Sequence, residues 1–495
     1  VAEDRDPAAP PSRQTGDQTP EGDKPIKQRK NGLYPAVSDE LADVMKSGWA
    51  DTELRDLQPV EQAPYAAKRR AALSARFPGE RLVIPAGNLR TRANDTEYPF
   101  RAATEYVHLT GDQTQDAVLV MEPNGDGSHD ATAYLLPRSS RENGEFWLDG
   151  QGELWTGRRH SLAEAEALLG LPCADVRKAA DVLREATGPV RVVRGYDAGI
   201  EAALTDKVTA ERDAELKEFL SELRLVKDEW EIGELQKACD STARGFEDVV
   251  RVLDKAEATS ERYIEGTFFL RARVEGNDVG YGSICAAGPH ACTLHWVRND
   301  GPVRSGDLLL LDAGVETHSL YTADVTRTLP VNGTYSDIQR KVYDAVYEAQ
   351  EAGIAAVRPG AAYRDFHDAA QRVLAEKLVE WGLLEGPVER VIELSLQRRW
   401  TLHGTGHMLG LDVHDCAAAR TETYVDGTLE PGMVLTVEPG LYFQADDLTV
   451  PEEYRGIGVR IEDDILVTED GNRNLSAGLP RRSDEVESWM AALKG

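Results

Sequence analysis

The chain has little of what an exported, membrane-spanning or nucleic-acid-binding protein needs. Its five cysteines, Cys173, Cys239, Cys285, Cys292 and Cys416, are few for 495 residues, odd in number and form no CxxC pair. A disulfide framework and a zinc ribbon are thereby excluded, and reduced thiols in a cytoplasmic protein are expected. No stretch of about 18 consecutive apolar residues exists, so no bilayer-spanning helix can form. Positive charge is scarce too: 56 Lys and Arg face 86 Asp and Glu, a formal net charge of -30. Such a field repels phosphate backbones and anionic membrane surfaces, so neither nucleic acid nor membrane is an expected partner. The first residues lack the basic start, the apolar stretch of about 7–15 residues and the small-residue cleavage site of a secretory signal, which again points to the cytoplasm.

What the chain does have is length and core material. At roughly 100–200 residues per domain it predicts two to four folded units, and 41% of its residues are hydrophobic. Residues 1–35 are rich in Pro, Gly, Gln, Asp and Lys and read as a disordered tail. Helical spacing follows at Asp39–Trp49 and Pro64–Phe77. Short β-prone runs come next at 82–87, 100–111, 116–124, 132–139 and 190–196, with helical stretches around 161–187. This predicts a compact α/β domain with leading helices over 36–206. Residues 211–252 read as long helix broken at Lys227–Asp228–Glu229. The second half, 207–495, mixes helices at 337–357 and 363–382 with strands at 307–313, 320–329, 433–438 and 457–467, so the whole is α/β (α+β).

Carboxylates at the ends of buried strands are the first chemical signal. Asp312 follows Leu308 to Leu311, a run buried on both faces, where a lone carboxylate would cost several kcal/mol or stay protonated. Asp312 and Asp324 lie symmetrically about position 318; a hairpin centred there would set them face to face, with Cβ atoms about 5 Å apart. A turn-capping role for Asp312 beside Gly314 is the plainer alternative. Glu438, in MVLTVEPGLY, and Glu462, in IGVRIEDDILV, occupy similar strand ends. Arg460 shares a strand face with Glu462 and Asp464, where it can orient a ligating carboxylate or form an ordinary ion pair.

Histidines supply the second signal. His403, His407 and His414 fall within the segment TLHGTGHMLGLDVHD, three of ten in the chain. Gly404 and Gly406 and the absence of the HExxH glutamate rule out a zincin helix, leaving a glycine-rich loop or strand. Any one of them alone could be a structural group; three beside four buried acids point to a metal site. Four carboxylates and an imidazole form a hard-oxygen set that two divalent ions would balance, manganese first, with cobalt, iron or zinc as alternatives. Such a pair of ions supports hydrolysis, and aminopeptidase chemistry fits.

The ordered blocks LLLLDAG, YTADVTRT, HGTGHMLGLDVHD, VEPGLY and RIEDDILV resemble the pita-bread dinuclear metallopeptidases, most closely the aminopeptidase P (Xaa-Pro aminopeptidase) family. TRANDTEYPFRAATEYVHLTG resembles the creatinase-type amino-terminal domain of bacterial members, and the likeness spans about residues 60–480. It implies that Asp312, Asp324, His407, Glu438 and Glu462 are the metal ligands, with Asp324 and Glu462 bridging. It also implies substrate-site roles for His295, His403, His414 and Tyr442, a supporting role for Arg460, and a homodimer or dimer of dimers. The implied reaction is release of the first residue from peptides with proline second, by a hydroxide bridging the ions, with Glu438 handling the proton. Proline needs a dedicated pocket because it offers no N–H and fixes φ; the trans isomer is the expected substrate. The alternatives are a prolidase acting on Xaa-Pro dipeptides, weak organophosphate hydrolysis as a side activity, and a metal-free peptide-binding module.

Overall fold

The computed structural model describes residues 37–494; the tail expected over 1–35 lies outside the described residues. The first sheet is built from β1 (Arg81–Pro85), β4 (Val118–Pro123), β5 (His129–Leu135), β6 (Cys173–Asp175) and β7 (Val190–Val192), in the order β6-β5-β4-β1-β7. An exposed hairpin of β2 (Thr91–Ala93) and β3 (Thr96–Glu97) stands apart from it. β1 runs antiparallel to β4 and parallel to β7, so the sheet is mixed. Alternation sends Leu82, Ile84, Leu119 and Met121 to one apolar cluster and Val83, Val118, Val120 and Val192 to another. Both faces are thus covered, as a mixed sheet with crossover helices requires.

The second half holds β8 (Asp278–Val279), β9 (Ile284–Ala287), β10 (Leu308–Ala313), β11 (Val315–Glu316) and β12 (Val325–Pro330), then β13 (Val434–Val437), β14 (Gly440–Tyr442), β15 (Gly458–Arg460), β16 (Asp463–Thr468) and β17 (Gly471–Asn474). They pair as β12-β10-β9, β11-β8, β13-β16-β17 and β14-β15. The leucine run explains its own burial. Leu309 and Leu311 enter the main core with Phe246, Phe268, Val346 and Leu374, while Leu310 enters a second cluster with Ile284 and Tyr442. Helices Glu229–Arg251, Glu261–Glu275, Asp337–Ala356 and Asp365–Glu380 supply the outer layer. The break before Glu229 is a capping box, in which Asp228 accepts from Glu231 N and Glu231 accepts from Asp228 N.

Four expectations are corrected. Residues 100–111 are not a strand: Thr104–Thr110 form a helix, stopped by Gly111 at φ 77. All seven helical residues are buried, so no polar face exposes the 3.6-residue period, and Val, Thr and Tyr imitate a strand. Strand β6 interrupts the 161–187 helical stretch. The 457–467 run divides between β15 and β16, which belong to different sheets, and Glu462 sits in the gap. Finally, Asp312 pairs with Thr326 rather than Asp324, because β11 leaves the hairpin to pair with β8. Asp324 and Thr326 are two apart, so Asp324 still faces the side that Asp312 faces.

A partly buried polar seam joins the two halves. Arg69 pairs with Asp228 at 2.7 Å, and Arg101 with Glu316 at 2.9 Å. Arg101 also donates to Leu411 O, and the Thr104 hydroxyl donates to Asp412 at 2.7 Å. Residues 411 and 412 belong to the histidine segment, so the first half braces the loop that carries His407 and His414.

Candidate active site

A cavity of about 540 Å³ in the second half is lined by Asp312, Asp324, His295, His403, His407, His414, Glu438, Arg460 and Glu462, together with Tyr281. Strand ends deliver the acids. Asp312 lies in β10, Asp324 directly precedes β12, Glu438 directly follows β13, and Glu462 bridges to Thr326 in the gap between β15 and β16. The histidine segment is irregular and is laced to β13: Thr436 N donates to His407 O at 2.9 Å and Glu438 N to Thr405 O at 2.7 Å. Gly406 is required there, since a Cβ would meet Thr436 O at 2.0 Å.

Donor atoms of Asp324, His407 and Glu462 come within 4.8 Å of one another. His407 Nε2 is 3.3 Å from Asp324 Oδ2 and 3.6 Å from Glu438 Oε1. Its Nδ1 faces Met408 O at 3.1 Å, which commits that nitrogen to a proton and turns Nε2 toward the acids. Electrostatics show what this set lacks. Burial, then repulsion from Asp324 and Asp312, raises Glu438 to about 7 against the pull of His407 and Arg460. Burial and the neighbouring acids push Glu462 well above the usual carboxylate range. Burial raises Asp312 as well, with Arg460 opposing. Burial would lower the His407 imidazole, but Asp324 and Glu438 hold it up at about 9. Crowded acids pushed toward the neutral form, beside an imidazole held toward the charged one, need positive charge, and an oxygen-rich set with one imidazole suits divalent cations.

The other predicted residues divide. His403 has both nitrogens engaged, Nδ1 with Gly404 O and Nε2 with the Tyr442 hydroxyl, each at 2.7 Å. Burial, then Arg460, lowers it to about 4, so it is neutral. His414 and His295 are exposed at the rim, and among the described residues neither has a hydrogen-bonded ring nitrogen. Tyr442, expected to touch substrate, does not line the cavity; it is 5% exposed, and its hydroxyl holds His403 and accepts from Arg460 Nη1 at 3.0 Å. Arg460 bonds Asp312, not Glu462: Nη2 reaches Asp312 Oδ2 at 2.6 Å. Glu462 is held instead by the Thr326 hydroxyl at 2.6 Å.

Sequence reasoning missed two groups. The Tyr281 hydroxyl lies 2.7 Å from Asp312 Oδ1 and 2.5 Å from Asp324 Oδ1, tying the two acids together. Glu261, fully buried, accepts from Ala287 N, Gly301 N, Trp296 Nε1 and His290 Nδ1, and so shapes the segment that carries His295. Nothing in the spacing around either residue signals it.

Residues 233–469 match metallopeptidase family M24, and residues 66–192 match the aminopeptidase P N-terminal domain. Xaa-Pro aminopeptidase 1 of Streptomyces coelicolor is 83% identical over 495 residues, the whole of both chains. The Xaa-Pro aminopeptidase of Escherichia coli is 33% identical over 456 residues, 88% of this chain and 100% of that one. Among solved structures, the Pseudomonas aeruginosa aminopeptidase PepP superposes with a TM-score of 0.78 at 32% identity, covering 88% of this chain and 99% of that one. E. coli aminopeptidase P with the inhibitor Pro-Leu gives the same TM-score, identity and coverages.

Proposed function

Since the chain belongs to the aminopeptidase P group of metallopeptidase family M24, we propose how its own residues carry out the group's reaction. The enzyme is a metal-dependent exopeptidase that releases the first residue from peptides with proline in second position. Its fold is an aminopeptidase P amino-terminal α/β domain followed by a pita-bread catalytic domain. We assign residues 36–206 to the first and 207–495 to the second, a division supported by a first sheet that lies wholly within 81–192.

The proposed ligands are Asp312, Asp324, His407, Glu438 and Glu462. The observation that carries this reading is the convergence of Asp324, His407 and Glu462 donors within 4.8 Å, in a cavity that also holds Asp312 and Glu438. The family uses divalent ions; manganese is our choice, supported by the oxygen-rich donor set. When bound, the ions supply a Lewis-acid field that acidifies water and polarises the scissile carbonyl. Glu438 takes the proton of the attacking water. It returns that proton to the leaving proline nitrogen, which carries no hydrogen in the amide and must gain one as the C–N bond breaks. His414 donates an N–H to the developing oxyanion. His403, with no nitrogen to spare, is a fixed wall for the proline side of the substrate, and His295 faces the same space.

A cytoplasmic location is supported by five unpaired cysteines. Among the described residues no helix is long and apolar enough to cross a membrane. A homodimer or dimer of dimers is supported by exposed Phe269, Leu270 and Val274 along one helix. The test of the catalytic reading compares hydrolysis of Xaa-Pro, Xaa-Pro-Xaa and Met-Ala-Xaa peptides with added Mn²⁺, in the wild type and in His407→Ala. Cleavage of the tripeptide Xaa-Pro-Xaa, lost in the variant, is expected; undiminished activity of the variant would overturn the ligand assignment.

A further inference from the structure

A second cavity, of about 700 Å³, shares His403 and Gly404 with the active-site cavity and is otherwise walled by the helix Asp365–Glu380 and by residues between 392 and 402, the turn Leu396–Arg399 among them. Its wall carries polar groups of the kinds that grip a peptide backbone. Gln397 is 5% exposed, and its Nε2 donates to Gln371 Oε1 at 3.4 Å, while Gln371 Nε2 donates to the Thr401 hydroxyl at 3.3 Å. Gln397 Oε1 is buried and has no hydrogen-bond partner among the described residues. Such an orphaned acceptor is unfavourable unless a ligand donor meets it. His367 supplies the complementary group. His367 Nδ1 faces the Thr405 hydroxyl at 2.9 Å and accepts from Thr405 N, which can only donate, at 3.2 Å, so in the neutral ring the proton sits on Nε2, which has no hydrogen-bond partner among the described residues. Arg398 adds an exposed guanidinium with no carboxylate partner among the described residues.

We propose that this cavity is the subsite for the peptide beyond the second-position proline, and that Arg398 receives its terminal carboxylate. The inference rests on the Xaa-Pro aminopeptidase reading and deepens it. A main chain brings the N–H that Gln397 needs and the C=O that His367 Nε2 can meet. Arg398 offers the planar donor fork that pairs with a carboxylate. The cavity is not a general anion site, because Asp368 also opens on it and Arg372 is already paired with Glu376 and Glu389, each at 3.1 Å. Position favours the leaving side of the substrate. His403 is the wall common to both cavities, and Thr405, which holds His367, accepts Glu438 N on its carbonyl.

The test measures kcat and KM for a series of Xaa-Pro peptides from two to six residues, each with a free and an amidated carboxyl terminus, on the wild type, Arg398→Ala and His367→Phe. At one length the wild type should prefer the free acid by about tenfold in KM, the size of one charge-assisted hydrogen bond. Arg398→Ala should erase that preference, and His367→Phe should shrink the gain of longer peptides over the dipeptide for acid and amide alike. Equal KM for acid and amide at every length in the wild type, or an equal change on all lengths in the variants, would overturn the subsite. A wild type that cleaves no Xaa-Pro peptide of any length would instead overturn the parent reading.

Discussion

Arg460 Nη2 lies 2.6 Å from Asp312 Oδ2, with both side chains buried. The same guanidinium reaches the Tyr442 hydroxyl at 3.0 Å and the Thr326 hydroxyl at 3.4 Å. Tyr442 holds His403 and Thr326 holds Glu462, so one cation connects an acid on β10 to groups on four other segments. Arg460→Lys keeps the charge and loses the fork. We expect divalent-metal affinity to fall about 10–100-fold, as when a group that orients a ligand is removed, read by titration of the metal-free protein. Unchanged affinity would mean that Asp312 needs no such support.

Glu261 gathers four donors, Ala287 N, Gly301 N, Trp296 Nε1 and His290 Nδ1, within 2.7–2.8 Å while fully buried. Glu261→Gln keeps the shape but turns an amide N–H toward donors that need an acceptor. A loss of about 1–3 kcal/mol is expected from one unsatisfied buried group, measured by urea unfolding. KM should rise with it, because the segment bearing His295 loses its anchor. A stability change without a KM change would show that His295 does not contribute to substrate binding.

Burial pushes His108 down to about 4 against the pull of Glu231, 3.4 Å away, in the seam between the two halves. A free histidine titrates near 6.5, so between pH 6.5 and 4 the unfolded chain binds the extra proton and the folded chain does not. Stability therefore falls as pH drops through that window, by about 2 kcal/mol between pH 7.5 and 5 from this residue alone. In His108→Leu the difference in unfolding free energy between those two pH values should shrink by about that amount. A variant with the wild-type slope would assign the acid sensitivity to other groups.

These three residues show what a sequence can and cannot disclose. The acids proposed as ligands were visible because a carboxylate at the end of an apolar strand is chemically odd, and Asp312 after four leucines is odd on its face. The histidine segment was visible because three histidines crowd one glycine-rich stretch. Tyr281, Glu261 and His108 were hidden because nothing about a lone Tyr, a Glu near a helix start or a His in an apolar run is unusual until distant segments meet. The face-to-face pairing of Asp312 with Asp324 failed for a related reason: β11 is recruited by β8, a partner more than thirty residues upstream, and no local pattern announces it. The buried helix Thr104–Thr110 escaped because burial on every side removes the periodicity by which a helix is recognised.

His403 and His414 make opposite demands on the same test. His403 spends both nitrogens on Gly404 O and the Tyr442 hydroxyl, whereas His414 packs edge-to-face with the His407 ring, centroids 4.3 Å apart, and has no hydrogen-bonded ring nitrogen among the described residues. A histidine with no free nitrogen cannot donate to an oxyanion; one with two can. His414→Ala should therefore lower kcat by about 10²–10³-fold with little change in KM, the mark of an interaction made in the transition state. His403→Ala should act mainly on KM, by removing a wall beside the proline and releasing Tyr442. Tyr442→Phe separates position from chemistry: it frees His403 Nε2 without deleting the ring, so it should reproduce part of the His403→Ala effect on KM and none of the His414→Ala effect on kcat. If His403→Ala instead costs kcat as much as His414→Ala does, His403 must exchange its bond to Gly404 O for one to the reacting carbonyl during turnover.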